Sequence, residues 1–497
     1  MLGELLYRRK KVLVAALMGL VLLTLLAVLP GNPAGPYDAR TNQRVEGFRL
    51  EFPTAGAIIE PFAAPSHVLS GALDYRVAIL SALVWAFFLG GLCCTEWKSR
   101  PWRWRESWRP VLKAVAAGVA SAVIFAAYAL FCLLVRMPGW SLVSETGDFI
   151  IADLQSHTFG SHDGIVSASE NLALHRARGC DVVAVTEHND TQGSAAAEEL
   201  SRRDASLPAV IPGVELRERG IAYLLGLNVY VRREDVKDLD LRDPAKFAAY
   251  VHGYPSGKDE HGGAVLALSW RLTGNDVYRL TAAGVDGFEI ANFGHPIVQD
   301  GARQAMLNLH REQGIALVSS SDWHGWGGAW RTWTAVKAPG KRQLERSERA
   351  RAVLAALRGR DTQDIIPLVA GRFGVPTMLH SVLAPFTEAV RYARELSAVR
   401  VTFWWLWVAL LFGATALMDR AQFRARWVLL ASLLLVVGTG LTLSGAGLIR
   451  SWISGEASYP FPARIGAWAL ALGICGLLAS TLILLKEYRV HVRARGD

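Results

Sequence analysis

Residues 153–164, DLQSHTFGSHDG, hold two aspartates, two histidines and a glutamine within twelve positions. Imidazole and carboxylate groups at this density suit a divalent ion such as zinc, manganese or iron. Three more clusters follow along the chain. Glu187 and His188 end the run CDVVAVTEH, Glu215 ends PAVIPGVEL, and Asp322 and His324 close GIALVSSSDWH. Burying Glu187 and His188 without partners would be costly, so TEHND calls for a metal or a hydrogen-bonded network. Asp322 paired with His324 beside a Gly turn reads as ligation, with a helix cap as the plainer alternative. Glu215 reads equally as a surface salt bridge and gains weight only from the constellation. Lone histidines are more often structural, which is the expectation for His175, His252, His261, His310 and His380. Ions held by such groups lower the pKa of bound water to ~7, giving hydroxide at neutral pH, and a pair of ions also stabilises phosphoryl charge.

These groups need elements to position them. DFIIADL ahead of the loop reads as a strand, and SASENLALHRARG behind it as a helix. Ser167 and Glu170 have capping-box spacing there, and Gly179 stands where the helix would stop. CDVVAVT (180–186) is continuously apolar and β-branched, a strand buried on both faces. Further strands are expected at 208–216, 263–269, 284–292 and 314–322, separated by helices such as 301–314. Alternation of this kind predicts a parallel α/β sheet, open or closed into a barrel. Residues just past the C-terminal strand ends of a barrel converge on one face, and every cluster above sits at such an end. Cys180 precedes an apolar strand and reads as a small buried hydrophobe. The other four of the five cysteines fall in apolar blocks, so no disulfide framework is implied.

The rest of the 497-residue chain has a different character. Six apolar blocks, at about 12–29, 75–94, 111–135, 402–417, 427–449 and 466–485, have roughly the ~20 residues that cross a bilayer as a helix. Some could instead be buried core helices, and the first could be a signal peptide, although AVLPGNPAG is a poor cleavage site. The plan is a membrane region 1–139 with three helices, a metal-binding domain 140–385, and a connector with three more helices over 386–497. Sixteen Lys and Arg flank the blocks on the side of the termini and six on the other. That bias places both termini in the cytoplasm and the domain outside the cytoplasmic membrane. Tryptophans 97, 102, 104, 108, 404, 405, 407 and 427 fit interfacial belts. The net charge of +9 is then membrane anchoring, and no nucleic-acid partner is expected. Segment 30–74 reads as an irregular external loop. Segment 386–400 reads as an amphipathic connector lying on the membrane surface or continuing into the fourth block. GTGLTLSGAG (438–447) offers small residues for close helix packing, with a homodimer as the expected partner.

Taken together, DLQSHTFGSHDGIVSASENLALHRARGCDVVAVTEHND, PGVEL, GVDGFEIAN and SSSDWHG resemble the polymerase and histidinol phosphatase (PHP) superfamily over roughly 148–340. The resemblance implies a distorted (β/α)7 barrel, here flanked by transmembrane helices, and a metal-dependent phosphoesterase. Residue by residue, it implies one metal position at His157, Glu215 and Asp322 and a second at Asp163, His188 and His324. The chain departs from the family at Gln155, Tyr223 and Leu268, where the family has histidines. The last two losses remove most of a third metal position, leaving one or two ions, with Gln155 as a weak ligand or an orienting group. Glu187 stands where the family has aspartate and is expected to orient a ligand or move a proton.

Two readings follow. One is a membrane-anchored hydrolase of phosphoric esters, a phosphatase or phosphodiesterase, in which metal-activated hydroxide attacks phosphorus. Arg331 or Arg271 would add positive charge at the transition state, and the substrate would be a phosphorylated small molecule or a lipid-linked phosphate. The other is a catalytically degenerate metal- or ligand-binding module acting as a sensor or scaffold. A transporter ranks third, because the apolar blocks carry no Asp, Glu or His near a bilayer midplane.

Overall fold

The computed structural model describes residues 2–29, 35–72, 75–94, 108–254, 262–295, 298–328, 331–359, 363–371, 378–420 and 424–496. His261, the tryptophans at 97, 102 and 104 and most of the basic loop at 95–107 lie outside the described residues.

Ten strands form one mixed sheet: β1 (Pro36–Asp38), β2 (Phe149–Asp153), β3 (Val182–His188), β4 (Ala209–Arg217), β5 (Tyr223–Leu227), β6 (Ala264–Leu268), β7 (Gly287–Asn292), β8 (Ala316–Ser320), β9 (Thr332–Lys337) and β10 (Ile365–Ala370). Their order is β1-β10-β9-β2-β3-β4-β5-β6-β7-β8. The β2-β3-β4 and β6-β7-β8 runs are parallel, as the strand-helix alternation requires. The hairpin strand β5 is antiparallel to both neighbours, and β9, β10 and β1 add an antiparallel flank. The expected seven-stranded closed barrel is therefore a curled, ten-stranded half-barrel. The edge strand β8 is joined across the curl to β9 by side chains rather than a ladder. Thr332 Oγ1 donates to Ser320 O at 2.7 Å, Thr334 Oγ1 donates to Ser319 O at 2.8 Å, and a single bridge links Ser156 to Trp323.

The concave layer takes alternate residues from successive strands, including Ile150, Ala152, Val182, Ala184, Leu266, Ala316 and Val318. Val353, Leu354 and Leu357 of the helix Arg346–Gly359 pack against it. Cys180 is buried in the layer behind β2 and β3. The helix Ala168–Ala177 starts in the expected capping box, and Gly179 beyond it has φ +87.

Segment 30–74 is not an irregular loop where described. It supplies β1 to the sheet, a strand Phe48–Glu51 paired with Ser141–Ser144, and the helices Thr54–Ile58 and Glu60–Ser70. The boundary at 140 is thus crossed by the fold. Among the described residues, four helices are long and apolar enough to cross a membrane: Val111–Leu134, Ala398–Met418, Trp427–Ile453 and Phe461–Val492. Val12–Val28 and Arg76–Leu92 are shorter apolar helices. The connector is a separate helix, Met378–Arg394, before Ala398–Arg420 begins. The small residues offered for a dimer are in part used inside the chain, since Gly438 and Gly445 lie against the backbone at Gly473 and Gly466.

Candidate metal centre

The loop 153–164 leaves β2 and is pinned from several sides. Asp153, fully buried, accepts from the backbone N–H of Ser321 at 3.0 Å and that of Gln155 at 3.3 Å, and faces His175 Nε2 at 3.0 Å. Asp153 and His175 are therefore scaffold. The loop folds back so tightly that a Cβ on Gly164 would lie 1.9 Å from Thr158 O. Asp322 adopts φ +51, a conformation that only Gly visits readily, so its placement is held by its surroundings.

Six expected ligands meet at these strand ends. His157 Nε2 lies 3.1 Å from Asp322 Oδ1 and 3.2 Å from Glu215 Oε2, all three being buried. Beside them, Asp163 Oδ1 lies 3.4 Å from His188 Nε2 and 3.3 Å from His324 Nε2, and those two nitrogens are 3.5 Å apart. Glu215 faces both sets, with Oε1 3.5 Å from His188 Nδ1. The imidazoles stack, His157 on His324 at 4.0 Å and on His188 at 4.6 Å between centroids.

The distances fit an ion. Ligands at the ~2.0–2.1 Å usual for zinc sit about 3.3–3.4 Å apart around a tetrahedron, which matches the Asp163/His188/His324 triangle. Asp163 Oδ1 is also buried without a hydrogen-bond partner, an arrangement that costs stability unless something else satisfies it. Burial works against every charge here, yet neighbours prevail. His157 is raised to about 9 by its bonds to Asp322 and Glu215. His188 and His324 are raised, chiefly by the Glu215, Asp163 and Asp322 carboxylates. Asp163, Asp322 and Glu215 are held below the usual carboxylate range by the same histidines. A divalent cation would compete with protons for these imidazole nitrogens.

The remaining expected residues take other roles. Glu187 is buried and accepts from Ser161 Oγ at 2.6 Å, from the Thr158 hydroxyl, and from Thr158 N–H at 3.1 Å. Ser161 Oγ, its proton given to Glu187, accepts from His157 Nδ1 at 3.0 Å, which leaves Nε2 facing the carboxylates. Glu187 is thus a positioning residue. Gln155 donates to Glu215 Oε2 at 2.7 Å, while its own oxygen accepts from Asn292 Nδ2 at 2.8 Å. These bonds place it as a group that orients Glu215. Arg331 is not at the centre. It pairs with Glu395, with Arg331 Nη1 2.8 Å from Glu395 Oε1, and donates to Ala370 O, tying β9 to the connector. Arg271 lies over the Trp270 ring at 4.1 Å. Leu268 is in the concave core, and Tyr223 stacks near Trp270 at 5.9 Å.

Sequence reasoning missed three groups. His295 Nε2 is 3.5 Å from Asp322 Oδ2 and its ring stacks on Trp270 at 4.2 Å. His162, exposed, forms a further potential ligand group with Asp163 and His188. Glu289, fully buried and driven far above the usual range by burial, bonds Asn292 and so backs Gln155. GFEIANFGHP held the signal for Glu289 and His295, two polar residues on and just past a buried strand.

No protein-family model matches the chain, and no curated protein matches it. Among solved structures, it is similar to a Bifidobacterium adolescentis protein assigned by inference as a metal-dependent phosphoesterase. Identity is 16%, covering 41% of this chain and 96% of that one, with a TM-score of 0.29. It is also similar to an amidohydrolase from Chromobacterium violaceum with bound sulfate and no metal, at 17% identity over 40% and 96%, TM-score 0.27. Likeness at this level carries no conclusion about chemistry, which rests on the geometry above.

Proposed function

We propose that the chain is a membrane-anchored, metal-dependent phosphoesterase. The observation that carries this is the pair of abutting ligand sets, one buried and one half-open, whose imidazole nitrogens lie 3.1–3.4 Å from carboxylate oxygens. His157, Glu215 and Asp322 would hold one divalent ion, and Asp163, His188 and His324 a second. When bound, such ions supply Lewis acidity that eases deprotonation of water and neutralises phosphoryl charge. The chain's own groups do the rest. Glu187 and Ser161 fix the His157 tautomer. Glu289, Asn292 and Gln155 align Glu215. His295, beside Asp322, is placed to hold or deliver a proton near the leaving oxygen.

The four membrane-length helices support membrane anchoring, and the Lys and Arg bias supports the reading that the membrane is the cytoplasmic one with the domain on its extracytoplasmic side. Reporter fusions after Asp497 and within 418–426 test this, since activity only in the cytoplasmic state is expected at both. The degenerate-module reading draws on Tyr223 and Leu268 standing where the resemblance implies histidines. The deciding experiment uses the full chain in detergent, with Asp322→Ala as control. Bound metal is measured by elemental analysis, and hydrolysis with an aryl phosphate and an aryl phosphodiester. One or two ions with turnover, both lost in the variant, supports the enzyme. Metal without turnover supports the module.

A further inference from the structure

The metal centre is walled partly by the apolar helices. A cavity of about 390 Å³ has Asp163, Asp322 and His324 on one side and Ile79, Leu133 and Phe461 on the other. Leu133 is the penultimate residue of its helix, Phe461 opens its own, and Ile79 lies in the first turns of Tyr75–Cys94. All three stand at the domain-facing ends of apolar helices, and Arg76 lies at the same rim. A site for a wholly polar substrate gains nothing from such a wall, because hydrocarbon beside a phosphate forgoes hydrogen bonds.

On the other side of the His162–Asp163 pair lies a second cavity of about 750 Å³. Its lining includes Arg219, Arg233, Lys237 and Arg242 against one carboxylate, Asp240. Asp190 shares Arg233, while Arg242 bonds the Arg217 carbonyl and the Asn189 amide oxygen. His162 and Asn189 line this cavity and flank the ligands Asp163 and His188, so it abuts the same centre. Tyr459, in the turn between the last two membrane-length helices, also lines it, its ring 6.3 Å from that of His162. That turn docks on the metal loop: Ser458 N–H donates to Phe159 O at 3.1 Å, and Phe159 and Ile165 share an apolar cluster with Leu448, Ala457 and Phe461.

Resting on the phosphoesterase reading, we propose that the substrate is a membrane lipid phosphodiester whose head group carries further negative charge. The hydrocarbon arm lies against Ile79, Leu133 and Phe461, the scissile phosphorus at the metal ligands, and the anionic head in the basic cavity. Water adds its oxygen to phosphorus, one P–O ester bond breaks, and the departing alkoxide takes a proton, leaving an alcohol and a phosphomonoester. The turn at 454–460 thus completes the active site, which explains why the domain is inserted between helices rather than merely tethered.

The test uses the full chain, manganese-loaded, in mixed micelles. Three probes are compared: phosphatidylinositol 4-phosphate, phosphatidylinositol, and deacylated glycerophosphoinositol 4-phosphate. The first is expected to show a kcat/KM at least tenfold above the other two. Ile79→Asn should lower kcat/KM about tenfold on the diacyl probes and under twofold on the deacylated one. The double variant Lys237→Gln/Arg242→Gln should lower it about tenfold on the 4-phosphate lipid and spare phosphatidylinositol. Equal rates on diacyl and deacylated probes, or equal loss on all probes, would overturn the proposal. If 4-nitrophenyl phosphate and bis(4-nitrophenyl) phosphate are also refused, the phosphoesterase reading itself fails. Lipid retention by native mass spectrometry then decides separately: preferential retention of the 4-phosphate lipid, lost in the double variant, keeps the lipid site, and no preference removes it.

Discussion

Two buried clusters of charge lie in this protein, and they are built oppositely. Where the sheet meets the helices, carboxylates face guanidinium groups: Glu395 is held by Arg331 and Arg391, and Glu60 by Arg400, with His67 and Tyr392 beside it. Each carboxylate there has a guanidinium partner from the chain itself. Glu60 and Glu395, despite burial, are both lowered to about 2. At the strand ends, three histidines and three carboxylates converge with no guanidinium among the described residues of the cluster. The first cluster is closed and fastens elements together. The second is open to a divalent cation. Identical residue types thus build a rivet in one place and a site in the other, and the deciding feature is whether the opposite charge comes from the chain.

The comparison can be broken most forcefully at Asp322. Asp322→Ala should remove bound metal and lower kcat by several kcal/mol in barrier, roughly 10³-fold or more, while the apo protein stays folded in circular dichroism. Glu395→Ala attacks the closed cluster and leaves two buried arginines unanswered. It should cost about 3–5 kcal/mol of stability in denaturant titrations, with specific activity per folded molecule retained. Loss of metal in Glu395→Ala, or of stability alone in Asp322→Ala, would erase the distinction. Gln155→Ala probes a smaller step. Freed from its orienting bond, Glu215 should bind metal about 10–100-fold more weakly by competition with a chromophoric chelator.

The two clusters should also separate by pH. His157 is raised from 6.5 to about 9, so its contribution to apo stability is complete below about 6.5 and is lost as pH rises through 9. Metal and proton compete for the same imidazole nitrogen, so apparent affinity should climb about tenfold per pH unit over that window, read by calorimetry. Glu395 is depressed, so its contribution is present above about 4.5 and lost as pH falls through 2. An affinity flat between pH 6.5 and 9 would mean His157 is not a ligand.

Periodicity and end residues made much of this molecule legible. CDVVAVTEH, PAVIPGVEL and GIALVSSSDWH became β3, β4 and β8, because continuous apolar runs of that length are stable only between two covered faces. Their polar ends came to one rim because parallel strands share a direction. What escaped were elements with little local signature. Tyr223–Leu227 is a five-residue antiparallel strand interrupted by Gly226, and Pro36–Asp38 is a three-residue edge strand supplied from over a hundred residues upstream of its neighbour's partner. Neither has a period long enough to read.

Side-chain roles divide in the same way. Residue type alone marked His157, Asp163, His188, Glu215, Asp322 and His324, since few other arrangements of buried imidazole and carboxylate are affordable. Which polar groups orient rather than bind depended on partners distant in sequence. Gln155 is taken by Glu215 and Asn292, and Arg331 by Glu395, 64 residues away. The sequence by itself determined the ligand chemistry, the strand-end placement and the apolar helices, because these follow from local pattern. Only the tertiary structure decided the ten-stranded curl, the two kinds of buried charge, and the apolar helix ends beside the metal ligands, because those depend on which distant surfaces pack together.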